Sequence, residues 1–152
     1  MNNKQAVEIV NAKLRETIEE KVNILHIAKN ISTFETQFIL DALDTVIKGK
    51  KLLQNTYIFG YYMKDKNKKT LFEHEQGILQ FLTEDLHRLL IDKSLNDIIE
   101  TDNFEAHLEA LKKYKNSITI LMASIQKYSK NLIDEIENNF ISEIDYKILD
   151  DK

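Results

Sequence analysis

The chain has 152 residues, of which 43% are hydrophobic and 30% charged, and its formal net charge is −4. This length suits one domain with a single core, and the absence of proline together with only three glycines argues against a turn-rich β-sandwich or β-barrel. The absence of cysteine excludes disulfides, thiolate zinc sites and cysteine nucleophiles, while the negative charge argues against nucleic-acid binding through phosphate neutralisation.

The first two predicted helices follow from apolar residues that recur every three or four positions. The first helix should cover about residues 4–29. Residues 32–35, Ser-Thr-Phe-Glu, then form a capping box, in which the serine hydroxyl accepts from a backbone amide and the glutamate reaches back. The second helix should cover about residues 33–63. Gly49 inside it costs about 1 kcal/mol relative to alanine and is a candidate bend.

Polar segments separate the remaining helices. Residues 64–69 contain no apolar side chain and are interpreted as a solvated turn, with a basic binding patch as the less favoured alternative. A third helix should cover residues 70–91 and begin with a capping box in its first four residues. Residues 93–101 form a connector with room for one helical turn. The last helix should cover residues 102–140 and again begin with a capping box.

Short connections between long amphipathic helices favour antiparallel neighbours. The predicted fold class is therefore all-α, an antiparallel helical bundle of about four long helices. We assign residues 1–140 to this bundle and residues 141–152 to an acidic tail that is expected to fray.

No apolar stretch approaches the roughly 20 residues that span a bilayer. The N-terminal residues also lack the apolar segment of a signal peptide. We therefore expect the chain in the cytoplasm, with the nucleus as a second location, and with neither a membrane nor a nucleic acid as its partner.

Residue patterns that carry catalysis are sparse. One Glu-x-x-His pair, Glu84 and His87, places a carboxylate and an imidazole on one helix face, but di-metal carboxylate bundles use two such pairs and two further glutamates. Three scattered glycines cannot form a phosphate-binding loop, and no Gly-x-Ser-x-Gly turn is present. We therefore expect no catalytic residue, metal or cofactor in this chain, and a di-metal bundle is only the third hypothesis.

An aromatic segment, residues 57–62, lies near the end of the second helix. Its side chains follow one another on a helix and must point in different directions. We interpret the segment as a deeply packed helix end, in which Gly60 allows another backbone to approach closely. An aromatic face for a protein partner is the alternative.

Four segments with constant spacing go beyond a general helical pattern: residues 37–40, 53–63, 71–76 and 83–84. The most informative of them combine the aromatic run Thr-Tyr-Ile-Phe-Gly-Tyr-Tyr-Met, a charged loop and the motif Phe-Glu-x-x-Gln. In this pattern the chain resembles the Ariadne domain of RING-between-RING ubiquitin ligases. After the last of these segments the resemblance is only to a long final helix.

The resemblance implies a regulatory function. In that family the Ariadne domain is a helical bundle that packs on the catalytic RING module and masks its cysteine, until the ligase engages a neddylated cullin–RING complex. The resemblance implies that Glu84 contacts the catalytic module, and it makes Phe72 and Glu73 of the Phe-Glu motif further candidate partner-binding residues. A charge-assisted hydrogen bond from Glu84 would contribute about 1.5–3 kcal/mol to docking.

Two departures from the family pattern stand out. The family has a Phe-Glu pair in its first helix as a further inhibitory contact, where this chain has Val10 and Asn11. The cysteine-rich modules are absent from this chain, so it cannot form a ubiquitin thioester. The alternative function that stays open is a stand-alone helical adaptor that binds a partner protein.

Overall fold

The computed structural model describes the backbone of residues 3–150 and the side chains of residues 5–139. Over that range the chain forms five helices and no strand: α1 (Asn3–Lys29), α2 (Thr33–Tyr62), α3 (Lys66–Ile91), α4 (Lys93–Glu100) and α5 (Phe104–Asp150). The prediction of an all-α bundle with four long helices is confirmed, with one short helix in addition. No helix within the described range combines the length and the apolar character needed to cross a membrane.

Side-chain contacts give the directions of the helices. Lys50 contacts His87, and Tyr57, further along α2, contacts Gln80, which lies earlier on α3. The two helices are therefore antiparallel. Helix α5 packs on both α2 and α3, whereas α1 packs mainly against α2 and α4. The centre of the bundle is thus the group α2, α3 and α5, with α1 and α4 on its outside.

One cluster of buried apolar side chains fills the space between the helices. Its largest fully buried members come from all five helices: Ile18, Leu25, Ile39, Leu43, Phe72, Leu79, Leu86, Leu90, Leu95, Ile118, Ile125 and Leu132. Each such side chain contributes about 1.5–3 kcal/mol through its removal from water. In the sequence these residues recur every three or four positions, and this spacing is the pattern that predicts a helical bundle.

The helix starts are only partly as predicted. Ser32 caps α2 through the full box, since its Oγ accepts from the Glu35 amide at 3.2 Å and its own amide donates to Glu35 Oε2 at 3.2 Å. The box predicted at residues 70–73 is wrong. Helix α3 begins earlier, at Lys66, because Asp65 caps it: Asp65 Oδ1 accepts hydrogen bonds from the backbone amides of Asn67 and Lys68. An exposed first turn needs a cap but no apolar residue.

The last two helices also differ from the prediction in their bounds. The connector forms an eight-residue helix, α4, instead of a single turn. Helix α5 is capped by Asn103, whose Oδ1 accepts from the Ala106 amide at 3.0 Å, and not by a box that starts at Asp102. Its backbone continues to Asp150, past the predicted end near residue 140. The side chains of the predicted acidic tail, residues 141–152, lie outside the described residues.

Two carboxyl groups meet where α3 packs against α5. The Glu135 and Glu75 carboxyl groups lie close enough to interact, and this proximity favours the protonated form of Glu135. One oxygen of each group, Oε2, is buried without a hydrogen-bond partner. Burial, together with the Glu75 carboxyl, raises the pKa of Glu135 to about 7.

This carboxyl pair makes stability depend on pH. The folded-state pKa of Glu135 exceeds the unfolded value of 4.5, so the native state binds the proton more tightly. The resulting stabilisation is complete below the unfolded pKa and is lost as the pH rises through about 7. Solvent reaches part of the pair and screens the interaction. We therefore expect the free energy of unfolding, measured with urea, to fall by about 1–2 kcal/mol between about pH 5 and about pH 8.

Glu135→Gln should remove this part of the pH dependence, because the amide donates to Glu75 without titrating. At about pH 8 the variant should be more stable than the parent chain. Glu137→Gln, on the exposed side of the same helix, is the control and should keep the parent slope. An unchanged slope in Glu135→Gln would contradict the assignment.

Candidate partner-binding surface

The position of Glu84 is set by the close approach of α2 and α3. Thr83 is buried and packs on Gly49, where an added Cβ would lie 2.9 Å from Thr83 Oγ1. Gly49 is therefore required by helix packing, and α2 continues through it as one helix. Glu84, the residue after Thr83, is exposed on the outer side of α3.

A chain of two hydrogen bonds orients the Glu84 carboxylate. The Tyr57 hydroxyl donates to Gln80 Oε1 at 2.7 Å, and Gln80 Nε2 donates to Glu84 Oε1 at 3.1 Å. Because the Glu84 carboxylate can only accept hydrogen bonds, the Nε2 end of the Gln80 amide faces it, and Oε1 is left to accept from the phenol. A carboxylate has about four lone-pair sites, so Glu84 keeps acceptor capacity for a partner.

A basic pair adjoins Glu84 along the same two helices. Lys50 Nζ lies 2.8 Å from His87 Nδ1. Burial lowers the pKa of His87, Lys50 lowers it further, and Glu84 opposes both effects. The imidazole is therefore neutral at about pH 7 and accepts from the ammonium group. Burial also lowers the pKa of Lys50, against the opposing effect of Glu84.

These contacts bear on the di-metal hypothesis, which requires further carboxylate and imidazole ligands around Glu84 and His87. Across the described residues, no three His, Asp or Glu side chains come together in a way that could hold a metal ion. The ammonium of Lys50 also occupies the position next to His87 Nδ1. The described surface therefore gives the hypothesis no support.

The aromatic segment of α2 is mostly exposed, so its interpretation as a deeply packed helix end is wrong. The exposed fractions are 49% for Tyr57, 63% for Ile58, 76% for Tyr61 and 69% for Tyr62. The covered side of α2 there carries Gly60, which is buried, and Phe59, which is partly buried against the core. The group that approaches Gly60 is the Phe72 ring, not a backbone segment.

The two candidate residues of the Phe-Glu motif have opposite environments. Phe72 is 1% exposed, and its Cε1 lies 3.4 Å from the position of a Cβ on Gly60. It therefore supports the surface from inside and does not fit the predicted role as a partner contact. Glu73 is exposed, forms a 4.0 Å ion pair with Lys69, and lines a groove together with Tyr57 and Tyr61.

The first helix offers little at the positions where the resemblance predicts an inhibitory pair. Val10 is half-exposed, whereas Asn11 is 6% exposed and points into the bundle. Both amide atoms of Asn11 are buried without a hydrogen-bond partner. Asn11 cannot reach a partner in this structure, which leaves α2 and α3 as the better candidate surface.

The contacts across α2 and α3 are what sequence reasoning missed. Tyr57, Gln80, Lys50 and His87 surround Glu84 although they lie on two helices and are separated along the chain. The available signal was the i, i+4 spacing of Gln80 and Glu84, which places both on one helix face.

Comparison with known proteins adds a family match. A family model described as the Ariadne domain matches residues 6–150. The chain is 27% identical over 124 residues to a probable E3 ubiquitin-protein ligase, ARI9, of Arabidopsis thaliana, a match that covers 80% of this chain and 22% of the relative.

Two animal relatives are also similar to the chain. It is 32% identical over 102 residues to the E3 ubiquitin-protein ligase ariadne-1 of Drosophila melanogaster, covering 64% of this chain and 20% of that protein. It is 31% identical over 102 residues to the E3 ubiquitin-protein ligase arih1 of Xenopus tropicalis, covering 64% of this chain and 19% of that protein. The chain thus spans about a fifth of the length of these relatives. No solved structure matches it.

Proposed function

This chain belongs to the Ariadne domain family, and from that membership we propose that it is a regulatory protein-binding domain of a RING-between-RING ubiquitin ligase. In this proposal it docks on the catalytic RING module and masks the catalytic cysteine. A neddylated cullin–RING complex releases the contact. The observation that carries the proposal is the exposed carboxylate of Glu84, held in one orientation by Gln80 and Tyr57.

The arrangement around Glu84 suits a contact that must form and later open. Its orientation by Gln80 reduces the entropy that docking would otherwise remove. A charge-assisted hydrogen bond to a donor on the partner would stabilise the docked state by about 1.5–3 kcal/mol. A ligand that binds the open state better by a similar free energy is enough to release it.

To test this, the chain is added in trans to the catalytic RING module of a RING-between-RING ligase charged with ubiquitin, and discharge of the thioester is followed. The parent chain should slow discharge in a saturable manner. Glu84→Ala should raise the inhibition constant about 10-fold to 100-fold, because it removes the charge-assisted hydrogen bond.

Glu109→Ala is the matched control, since Glu109 is an exposed glutamate on α5, away from this surface. It should inhibit like the parent chain. Equal inhibition by Glu84→Ala would remove Glu84 from the interface. Discharge unaffected by the parent chain at saturation would favour the stand-alone adaptor, whose partner would have to be found separately.

A further inference from the structure

Lys50 differs in its surroundings from two lysines close to it on α2, Lys48 and Lys51. Both of these neighbours are exposed, whereas Lys50 is half-buried and faces α3. Its Nζ lies 2.8 Å from His87 Nδ1. The fold therefore gives one of three chemically identical amines a partner on another helix.

The contact with His87 gives the Lys50 amine a base within hydrogen-bond reach. The imidazole is neutral near pH 7, so its Nδ1 directs a lone pair toward Lys50. Burial also lowers the pKa of Lys50, which increases the neutral fraction of its amine. An amine and a base about 3 Å apart are the arrangement of an activated nucleophile.

We propose that Lys50 is an acetylation site, with a short, uncharged acyl thioester as the donor and His87 as the general base. The neutral amine attacks the thioester carbonyl while it donates an N–H to His87 Nδ1. The C–N amide bond forms, the C–S bond breaks, and the sulfur leaves as a thiolate. The proton lost by the amine passes to His87 and from there to the thiolate, so the products are an amide and a free thiol.

The charges around Lys50 favour an acyl group without a charge of its own. Burial of the ammonium outweighs the attraction of Glu84, so a neutral amide removes an unfavourable half-buried charge. An acyl group with a carboxylate would place a negative charge beside Glu84, which already acts on both Lys50 and His87. The site should therefore prefer acetyl to succinyl donors.

The test uses the free chain and does not depend on the proposed function. The chain is incubated with acetyl-coenzyme A near neutral pH, and its modification is followed over time by mass spectrometry. Asp-N protease releases residues 44–64 as one peptide, which contains the three lysines. We expect the initial rate at Lys50 to exceed the rates at Lys48 and Lys51 by about tenfold or more. Succinyl-coenzyme A should show a smaller preference.

Two histidine variants test whether His87 acts as the base. His87→Gln keeps a hydrogen-bond acceptor beside Lys50 but cannot take up a proton, so the rate at Lys50 should fall about tenfold. His74→Gln, at an exposed position on the same helix, should leave that rate unchanged. An unchanged rate in folded His87→Gln, verified by circular dichroism, would overturn the proposal.

The unfolded parent chain separates the effect of the fold from that of the local sequence. In concentrated guanidinium chloride the three lysines should react at similar rates, because Lys50 no longer contacts His87. A preference that persists on unfolding, or no preference in the folded chain, would overturn the proposal. Inhibition of the catalytic RING module without preferred acetylation of Lys50 would retain the proposed function and reject this site. The reverse result would retain the site and reject the proposed function.

Discussion

Replacing Phe72 by alanine is expected to lower the free energy of unfolding by about 3–5 kcal/mol. The phenyl ring is 1% exposed and packs on the glycine face of α2 at Gly60. Because Gly60 has no side chain that could move into the space, the cavity would stay largely empty. The lost transfer free energy and the cavity then both lower the free energy of unfolding of the variant.

The measurement is urea unfolding followed by circular dichroism at 222 nm, near neutral pH. Phe81→Ala is the matched control, since Phe81 lies on the same helix but is 69% exposed. Its effect should stay within about 0.5 kcal/mol. A loss below about 1 kcal/mol for Phe72→Ala would mean that the ring is not the structural support we describe.

The second large effect is expected for Gly49→Leu, which should destabilise the chain by about 3 kcal/mol. Even the first added carbon would lie 2.9 Å from Thr83 Oγ1, and Thr83 is buried. A longer side chain must therefore push α3 away from α2. Because Glu84 follows Thr83 directly, we also expect weaker inhibition of the catalytic module under conditions where the variant remains folded.

Gly77→Leu provides the contrast for this substitution. It makes the same chemical change inside a helix, but no atom lies within 4 Å of the added Cβ. It should stabilise the chain by about 0.5–1 kcal/mol through helix propensity. Urea midpoints for the two variants should therefore move in opposite directions. If both variants are destabilised alike, the close approach of the helices at Gly49 is not the cause.

Most of the fold could be predicted because the apolar period directly determines which face of each helix is buried. Ser32 was identifiable as a cap because a capping box uses residues close together in sequence. Asp65 was missed because an exposed, lysine-rich first turn has no apolar residue to mark it. Local signals thus predict helix existence better than helix bounds.

The candidate surface was less predictable, because its contacts join two helices. The aromatic segment is a clear example, since hydrophobic rings suggest burial although Tyr61 and Tyr62 are largely exposed. Which side of α2 is covered depends on where the ring of Phe72 lies, and the position of that ring is set by the packing of α3 on α2. The resemblance drew attention to Glu84, but the support from Tyr57 through Gln80 is visible only once the helices are packed.

The antiparallel pairing of α2 and α3 has a consequence for the order of folding. Every side chain assigned to the proposed surface lies between Lys50 and His87, on two helices joined by a short turn. Contacts within such a hairpin close a small loop, and local contacts of this kind favour fast folding. We therefore expect the geometry around Glu84 to form as this hairpin closes, without waiting for α1 to pack on the outside of the bundle.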